Sequence, residues 1–514
     1  MSYKVSVLLF IGILSIFPLF AQNSIITQID SLITPLAQKG ANIGIDIRDI
    51  SHDSTFYAVN SKAYMTPASV QKLFITAVSL MKFGENYQFK TPITYSGKLK
   101  KNKIKGDLMV VGVGDPSISD RYYHGDALSV FRDWADSLSA RGIKKISGNI
   151  VILDTLFQAE GFGPGWCWDD LAYDYSAKRT SFLFRENRAS MLIMGTEDGK
   201  PPVIIMDPVA DGMEIDRVEF HADMNRKSGG RGQVLTFNDL NSNPSPSRYA
   251  KKGTIIINDA ITDKNATRNS IQIVPVGNGY RIMGVMKPDD KDEEYVALYN
   301  PEMTSANILK MMLADKGIKC SGKVRVIHSL AELKSPQVQL LFMHESPPLS
   351  KIIRLTNKQS VNVAAEALLL SLGRDAKNSV STLKDSLEVM GIPRDSICIV
   401  DGSGLSRYNL CTAEQCSDLL EGMCDRPEFL TYIASLAIAG KDGSLLKRMK
   451  DSPATDRVFA KTGSMRFVRN LCGYALNQKN TLLAFSIMIN GYPSEKEMTE
   501  LEDKICDLLA GSGF

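Results

Sequence analysis

The chain has 514 residues, of which 44% are hydrophobic and 23% are charged. At roughly 150 residues per domain this length gives about three domains, and the composition excludes a wholly disordered, collagen-like or multispanning membrane protein. The 60 basic residues against 57 acidic ones leave a net charge of +3, so we expect no nucleic acid partner.

The first segment, residues 1–21, has the features of a secretory signal peptide. Lys4 precedes an apolar run at 5–20, and Ala21 is a small residue before a polar stretch. Pro18 interrupts the run, which is short for a membrane span, so cleavage after Ala21 is favoured over an uncleaved anchor. No later run of about 20 apolar residues follows, and we expect a periplasmic mature chain with no stable membrane span.

Metal-binding side chains are few and scattered. The five His residues form no His-Glu-x-x-His motif, and the eight Cys residues form no paired Cys-x-x-Cys arrangement. We therefore predict no metal site and no cofactor. In an exported protein the cysteines can form disulfides, with buried free thiols as an equal alternative, and no pairing follows from the sequence.

The mature N-terminal region predicts a β-hairpin followed by a buried helix. Alternating isoleucines in residues 41–50 and a second apolar run ending at Val59 predict the hairpin. Thr66 suits the N-cap position and Pro67 the first helical position, so a helix is expected from Ser69 to Phe83. It is apolar almost all round and must be buried in the middle of a domain.

The predicted secondary structure of the rest of the chain changes twice, from strands to helices and then to a final hairpin and helix. From about residue 90 to 287, short strand-like runs alternate with Gly, Pro and Asp, and one clear helix spans 127–140. Five further helices are then predicted, at 306–316, 349–356, 364–372, 380–390 and 413–423. Strands at 470–476 and 482–489 follow, and a last helix begins with a capping box of Ser494 and Glu497.

A hairpin at the start of the chain and a hairpin with a helix at its end predict one antiparallel sheet, built from both ends and covered by helices. This arrangement belongs to the α+β class. We expect the intervening strand-rich region to form mostly β structure.

The first candidate catalytic pair is Ser69 and Lys72, in the run Ser-Val-Gln-Lys. Residues three apart share a helix face, so the Lys72 amine can reach the Ser69 hydroxyl. Burial disfavours the charged amine and would make Lys72 a base for that hydroxyl. The pattern alone is weak, because the runs that begin at Ser79, Ser381 and Ser444 also match it.

Two further motifs follow in order along the chain. Ser360-Val361-Asn362 falls between two predicted helices, on a connection where both polar side chains can point into a cleft. Lys461-Thr462-Gly463-Ser464 follows an apolar run, as though a strand carried it, and Gly463 would allow a ligand to approach the backbone. The ordered set of helix start, interhelix loop and strand carries the specificity.

With this trio in place, the chain resembles low-molecular-mass, class C penicillin-binding proteins of the D-alanyl-D-alanine carboxypeptidase/endopeptidase type. The resemblance covers essentially the whole mature chain. It extends to four further runs, of which Asp-Gly-Ser-Gly-Leu-Ser-Arg at 401–407 is the most distinctive; the others are Val113–Ser117, Pro164–Asp170 and Ala439–Leu445. It implies a penicillin-binding, serine β-lactamase-like fold with large inserted domains.

The resemblance also implies a mechanism on peptidoglycan stem peptides that end in D-Ala-D-Ala. Ser69 would be the nucleophile and Lys72 its general base, while Ser360 would pass a proton to the leaving amine. Asn362 would orient Lys72, and Lys461 would supply positive charge. β-Lactam antibiotics, which mimic the D-Ala-D-Ala end, would acylate Ser69.

Substrate-binding residues are likewise implied by resemblance. Thr462, Gly463 and Ser464 would line the site of the terminal carboxylate. The polar end of the stem-peptide side chain would meet Asp170, Tyr175, Arg407 and Arg466. Arg466 stands where the family often has an uncharged amide, which leaves the preferred side chain open.

The spacing of the motifs predicts a split catalytic domain. From Lys72 to Ser360 the chain advances 360 − 72 = 288 positions, far more than a compact site needs. We therefore expect a catalytic domain of residues 24–88 and 297–514, with an insertion at 89–296. By resemblance the insertion forms two β-rich domains, one nested in the other.

Two other functions stay open. The first is a peptidoglycan-binding scaffold that has kept the fold and lost activity, against which the intact motif residues argue. The second is a β-lactamase or esterase that shares the Ser-x-x-Lys site; it would need a carboxylate for rapid deacylation, for which Glu366 and Glu414 are candidates. Release of D-alanine compared with turnover of a chromogenic β-lactam separates these functions.

Overall fold

A computed structural model describes most of the chain, with these residues: 25–157, 161–207, 234–235, 256–277, 279–333 and 338–513. The signal peptide predicted at 1–21 lies outside them. The chain divides into two compact units, one built from residues before 88 and after 347, the other from Gln88–Pro347. Within the described residues, no helix has both the length and the apolar character that crossing a membrane requires.

The first unit starts with helix α1 (25–38), strands β1 (Asn42–Asp49) and β2 (Ser54–Val59), and helix α2 (Gln71–Phe83). β1 and β2 form the predicted antiparallel hairpin. The first ten residues of α2 are all buried, in agreement with its all-round apolar sequence. The predicted start of α2 is wrong, because Ala68 has a φ of +47° and Ser69 lies in a separate 3-10 turn, Ala68–Val70.

The second unit is rich in short strands, as its Gly- and Pro-punctuated sequence predicts. Its helices are α3 (Ser129–Ala140) and α4 (Pro301–Asp315). Its strands are β3 (Lys90–Ser96), β4 (Lys98–Lys100), β5 (Lys103–Lys105), β6 (Leu108–Val111), β7 (Lys145–Ile146), β8 (Ile150–Leu153), β9 (Arg188–Met194), β10 (Val203–Asp207), β11 (Val234–Leu235), β12 (Ile256–Asn258), β13 (Ile261–Thr262), β14 (Ser270–Val276), β15 (Gly279–Met286), β16 (Lys291–Ala297), β17 (Lys319–Cys320), β18 (Val324–Ile327) and β19 (Val338–Glu345).

The strands of the second unit form four sheets. Two sheets, ordered β18-β8-β6-β3-β19 and β17-β7-β5-β4, come from the outer parts of its sequence. The other two come from its middle and are ordered β11-β10-β9-β16 and β12-β15-β13, with β14 paired to β15. The largest hydrophobic cluster of the outer parts includes α3 and α4, whereas a separate cluster is formed by buried residues between 172 and 296.

The second unit ends later than the sequence analysis predicts. The expected boundary at 296/297 assigned α4 and β17–β19 to the catalytic part, but the second unit extends to Pro347. The reason is packing: Ala306, Leu309 and Leu313 of α4 are buried in the cluster that contains α3. β19 also pairs with β3, the first strand after the chain enters this unit.

The chain returns to the first unit for its remaining elements. The helices are α5 (Leu349–Lys358), α6 (Asn362–Ser371), α7 (Ala376–Glu388), α8 (Ala413–Cys424), α9 (Phe429–Ala434) and α10 (Glu495–Ala510). The strands are β20 (Ala437–Ile438), β21 (Val458–Met465), β22 (Val468–Leu476) and β23 (Leu482–Asn490).

The two ends of the chain form one antiparallel sheet, as predicted. Its order is β2-β1-β23-β22-β21-β20, and Ile45 of β1 lies opposite Ile487 of β23. One core joins the inner face of this sheet to α1 and α10, with Ile29 and Ile505 fully buried. The α+β class predicted for the chain is therefore correct.

The cap of α10 is only half of the predicted capping box. Ser494 Oγ accepts the backbone N–H of Glu497 at 3.2 Å. The Glu497 carboxylate instead accepts hydrogen bonds from Lys39 and Tyr492, both at 2.8 Å. Competing partners from elsewhere in the fold thus replace the local return bond that the spacing predicts.

Candidate active site

The turn that carries Ser69 is held in an uncommon backbone conformation. Ala68, directly before Ser69, has a φ of +47°, which residues other than Gly rarely adopt. Asn470 of β22 donates from Nδ2 to the carbonyl oxygens of Thr66 and Pro67, at 3.0 and 2.8 Å. Such strain persists only where the surroundings fix it, so the neighbouring strand sets the position of Ser69.

Two glycines allow other chain segments to pack directly on this turn. At Gly463 of β21 an added Cβ would lie 2.6 Å from the Pro67 carbonyl oxygen. At Gly404 it would lie 1.9 Å from that of Ala68. The sequence analysis attributed Gly463 to ligand approach, whereas the structure shows that its missing side chain brings β21 against the nucleophile turn.

Lys72 points back along α2 toward Ser69, as the three-residue spacing predicts. Its Nζ lies 2.8 Å from Ser69 Oγ, 2.7 Å from Asn362 Oδ1 and 2.6 Å from the Ser403 carbonyl oxygen. The side chain is fully buried. Burial lowers the pKa of Lys72 to about 7, although the charges of Asp401 and Glu366 act in the opposite direction.

These three contacts suit a neutral amine, which has two N–H groups and one lone pair. The Ser403 carbonyl is an acceptor only, and Asn362 presents its amide oxygen, so each takes one N–H of Lys72. The lone pair is then left for the Ser69 hydroxyl proton. Ser69 itself is partly exposed, so its hydroxyl is accessible while the Lys72 amine is shielded from water.

Ser360 and Lys461 form a second hydroxyl–amine pair. Ser360 lies between α5 and α6, has a φ of +59°, and accepts a hydrogen bond from Lys461 Nζ at 2.9 Å. The same amine donates to the Thr462 carbonyl at 2.8 Å. Burial and then the like charge of Lys72 lower the pKa of Lys461 well below its usual value.

The loop 401–409 supplies a group that the sequence analysis missed. The glycines of this run favour a tight turn, and Gly404 does have a φ of +80°. Asp401 holds the turn by accepting the N–H groups of Gly404 at 2.9 Å and Ser406 at 2.7 Å. The functional group is the backbone carbonyl of Ser403 on Lys72, and no side-chain motif can reveal a backbone contact over 331 positions.

The other residues of the strand motif lie at an open edge. Thr462 is partly exposed and donates from Oγ1 to Ser444 Oγ at 2.9 Å. Ser464 is exposed and accepts a hydrogen bond from Arg469 on the adjacent strand β22. Ser444 begins one of the other Ser-x-x-Lys matches in the sequence. The motif search did not predict its contact with Thr462.

The four residues assigned to the stem-peptide side chain fall in both units. Arg407 and Arg466 are exposed in the first unit, and Arg407 Nη2 donates to the Arg466 carbonyl oxygen at 3.3 Å. Asp170 and Tyr175 lie in the second unit, where the Tyr175 hydroxyl donates to Asp170 Oδ1 at 2.9 Å. Each pair is thus assembled within its own unit.

Asp170 also belongs to a group of candidate metal ligands. Its carboxylate and the ligand atoms of Cys167 and Asp169 lie within 4.8 Å of one another. Asp169 is exposed and the other two are partly exposed. Exposed acidic groups of this kind are common without a metal, so we assign no ion to them.

A comparison with known protein families identifies one match. The sequence matches the sequence model of the D-Ala-D-Ala carboxypeptidase 3 (S13) family over residues 25–229 and 238–511. The chain belongs to this family. The match covers both units, so the S13 family signature includes the inserted region as well as the three motifs.

Curated relatives of this S13 family chain carry consistent names. It is 27% identical over 472 residues to the D-alanyl-D-alanine carboxypeptidase DacB of Haemophilus influenzae, which covers 90% of this chain and 88% of the relative. It is also 27% identical over 497 residues to a D-alanyl-D-alanine carboxypeptidase of an Actinomadura species, covering 94% and 84%.

Solved structures show the same fold. The crystal structure of penicillin binding protein 4 from Haemophilus influenzae matches with a TM-score of 0.74 at 22% identity, covering 93% of this chain and 98% of that chain. A structure of that protein complexed with a β-lactam matches with a TM-score of 0.69 and the same coverage. The predicted penicillin-binding fold is therefore confirmed.

Proposed function

We propose that this S13 family chain is a serine-type D-Ala-D-Ala carboxypeptidase and endopeptidase that acts on peptidoglycan stem peptides through an acyl-enzyme on Ser69. One observation carries the proposal: the buried amine of Lys72 lies 2.8 Å from Ser69 Oγ, with a pKa of about 7. A base with a pKa near the working pH suits general base catalysis.

In the acylation step, Ser69 Oγ attacks the carbonyl carbon of the penultimate D-Ala as Lys72 takes the hydroxyl proton. The Asn362 oxygen and the Ser403 carbonyl hold the two N–H groups of Lys72, so its lone pair faces the nucleophile. Helix α2 starts just after Ser69, and its positive end stabilises the oxyanion. We assign the oxyanion hole to the backbone N–H groups of Ser69 and Ser464.

The leaving D-Ala amine needs a proton before it departs. In this mechanism Ser360 gives its own proton to the amine and takes one in return from Lys461, whose Nζ donates to its oxygen at 2.9 Å. Two ammonium groups repel each other in one buried site, so the Lys72–Lys461 pair keeps one lysine neutral. Lys72 passes the proton that it took from Ser69 back to Lys461 within the coupled pair, and it is then neutral again to take a proton from the water that attacks the acyl-enzyme in the carboxypeptidase reaction. It returns that proton to Ser69 as the acyl group leaves.

The terminal carboxylate of the substrate binds at the open edge of β21. Ser464 already accepts a hydrogen bond from Arg469, so its own proton remains for the carboxylate. Thr462 turns its hydroxyl from Ser444 to the carboxylate and accepts from Ser444 in exchange. Gly463 lets β21 sit close enough to Ser69 for both contacts.

The stem-peptide side chain is recognised by charged groups of both signs. Arg407 and Arg466 suit a carboxylate, and neither has an ion-pair partner within the part of the chain that the structure describes. Asp170, held by Tyr175, suits an ammonium group.

The proposed domain organisation follows from the two units. The first unit carries the three motifs and is the catalytic domain, with residues 88–347 inserted. The cluster of buried residues between 172 and 296, separate from the larger cluster that includes α3 and α4, supports two nested inserted domains. For export we propose cleavage after Ala21 and a periplasmic location; a mature chain that begins at Gln22 by mass spectrometry tests this.

Mass spectrometry after incubation with a penicillin tests the catalytic assignment. The expected result is one adduct on wild type and none on Ser69→Ala. Release of D-alanine from a pentapeptide and cleavage of a cross-linked dimer separate the carboxypeptidase and endopeptidase activities. No adduct on wild type, or an adduct that persists in Ser69→Ala, contradicts the assignment and favours an inactive scaffold, whereas rapid turnover of a chromogenic β-lactam favours a β-lactamase.

A further inference from the structure

Glu366 is a buried carboxylate close to the candidate site, with a role the proposed mechanism does not include. It lies on α6 and its side chain is 1% exposed. Asn362 is the first residue of the same helix, four positions earlier, so both side chains share one helix face. Asn362 contacts Lys72 directly, whereas Glu366 faces the loop that supplies the Ser403 carbonyl.

The Glu366 carboxylate binds that loop through two backbone N–H groups. Its Oε1 accepts the N–H of Gly402 at 3.0 Å and the N–H of Ser403 at 2.8 Å. The opposite end of Ser403, its carbonyl oxygen, accepts the Lys72 amine at 2.6 Å. One residue therefore links Glu366 to Lys72.

Close backbone packing on both sides of the loop prevents the peptide groups around Ser403 from rotating. At Gly402 an added Cβ would lie 2.4 Å from the Ala365 carbonyl oxygen, so the loop backbone packs directly on α6. On its other side Gly404 packs on Ala68, next to the nucleophile. The direction of the Ser403 carbonyl is thus fixed between the helix that carries Asn362 and the turn that carries Ser69.

We propose that Glu366 is a positioning residue for the general base, which aims the Ser403 carbonyl at Lys72 Nζ and places a negative charge behind it. This role rests on the proposed function of Lys72. It differs from the role of a deacylating base in a β-lactamase, because Glu366 acts through the Ser403 backbone and transfers no proton itself. The charged groups that act on Lys72 are Lys461, Asp401 and Glu366.

Two substitutions separate the effect of the Glu366 charge from that of its hydrogen bonds to the loop. Glu366→Gln keeps an oxygen for the two N–H groups and removes the charge. Because a negative charge favours the ammonium form, its removal lowers the pKa of Lys72. Glu366→Leu removes the acceptor as well, so the Ser403 carbonyl is no longer held; misplacement of a catalytic contact by about 1 Å can cost ~10²-fold in rate.

The experiment is a ¹³C NMR titration of Lys72, labelled at the carbon next to its amine, combined with penicillin acylation rates across pH. In Glu366→Gln we expect the Lys72 titration and the acid limb of acylation to move down by about one pH unit. In Glu366→Leu we expect acylation to fall by ~10²-fold. Glu388→Gln, at an exposed carboxylate on α7, is the control and should match wild type.

The outcomes distinguish this role from the proposed function. An unchanged Lys72 titration in Glu366→Gln overturns the inference, even if the fold is slightly less stable, because a merely structural role would not move it. If wild type forms no penicillin adduct, the proposed function fails and the positioning role falls with it; if the adduct forms but the titration does not move, the inference alone fails. If Glu366→Leu does not fold, Glu366→Gln alone decides.

Discussion

Lys72 and Lys461 are both fully buried, which is rare for lysine and costly unless the amine can lose its charge. Burial lowers the pKa of each, and the neighbouring like charge further lowers that of Lys461. The negative charges of Asp401 and Glu366 act in the opposite direction and raise the pKa of Lys72. The balance leaves an amine that can accept a proton near neutral pH.

This balance predicts a pH dependence. Lys72 must be neutral to act, so acylation by penicillin should follow an acid limb with an apparent pKa of about 7 and fall by about tenfold per pH unit below it. The apparent value belongs to the coupled Lys72–Lys461 pair. Stopped-flow acylation measures the profile. A rate independent of pH on the acid side of neutrality contradicts the assigned role of Lys72.

The cysteines allow a second prediction at the same scale. All eight are free thiols in the structure, and Cys411 and Cys416 have their sulfur atoms 3.7 Å apart in the core. Burial contributes to raising the pKa of Cys472 well above its usual value, which disfavours the reactive thiolate. Cys398 is exposed. In the native protein a maleimide should therefore label Cys398 first and leave Cys411, Cys416 and Cys472 unlabelled until unfolding.

Peptide mapping of the labelled protein checks this. Unfolding in denaturant should make all eight thiols available, which serves as the internal control. Fewer than eight thiols after unfolding without reductant would show a disulfide and contradict the free-thiol state.

At the scale of elements, the site depends on three segments that meet with little room between them. The turn before α2, strand β21 and the loop 401–409 approach one another through glycines rather than through interlocking side chains. Asn470 of β22 adds hydrogen bonds to the same turn. Backbone contacts of this kind position Ser69 more rigidly than side-chain packing, because the backbone has fewer ways to relax.

Gly463→Ala tests this arrangement. The added methyl would lie 2.6 Å from the Pro67 carbonyl oxygen and 3.2 Å from the backbone nitrogen of Val70, so β21 or the turn must shift. We expect a loss of about 1–3 kcal/mol in the free energy of unfolding and a fall in penicillin acylation of ~10²-fold. Thermal unfolding and acylation rates measure the two effects.

Gly513→Ala is the control for that substitution. Gly513 is exposed, and an added Cβ would meet only the Gln478 side chain at 3.8 Å, which is ordinary contact. It should leave both quantities unchanged. Wild-type acylation in Gly463→Ala would show that the close approach of β21 does not position Ser69.

At the scale of the whole molecule, the chain leaves the first unit and returns to it at adjacent points. The backbone N–H of Leu349 donates to the Tyr87 carbonyl at 2.8 Å, and that of Ser350 to the Glu85 carbonyl at 3.0 Å. The first unit also has its own core and its own six-stranded sheet. A large insertion at such a point costs little beyond loop closure.

The first unit should therefore fold without the second. We expect a variant in which about four flexible residues replace 88–347 to unfold cooperatively and to form the penicillin adduct at Ser69. The Ser69→Ala form of the shortened chain is the control, and a shortened chain that folds but forms no adduct contradicts the assignment of the catalytic domain.

Local sequence patterns determined a large part of this protein. The spacing of Ser69 and Lys72, the alternation in β1 and the apolar character of α2 depend on fixed helix and strand periodicities, so they were readable without the fold. The order of the three motifs predicted the family. The prediction that Thr66 caps the start of α2 was wrong, because strand β22, far along the chain, holds that turn.

Tertiary structure alone decided how the site works. Lys72 reaches Asn362 across 290 positions and the Ser403 carbonyl across 331, and no local pattern encodes such contacts. Its lowered pKa depends on burial and on the balance of charges from α6, β21 and the loop 401–409. The boundary after Pro347 was decided in the same way, by which core buries α4. Burial and electrostatics depend on distance in space, and the sequence records only distance along the chain.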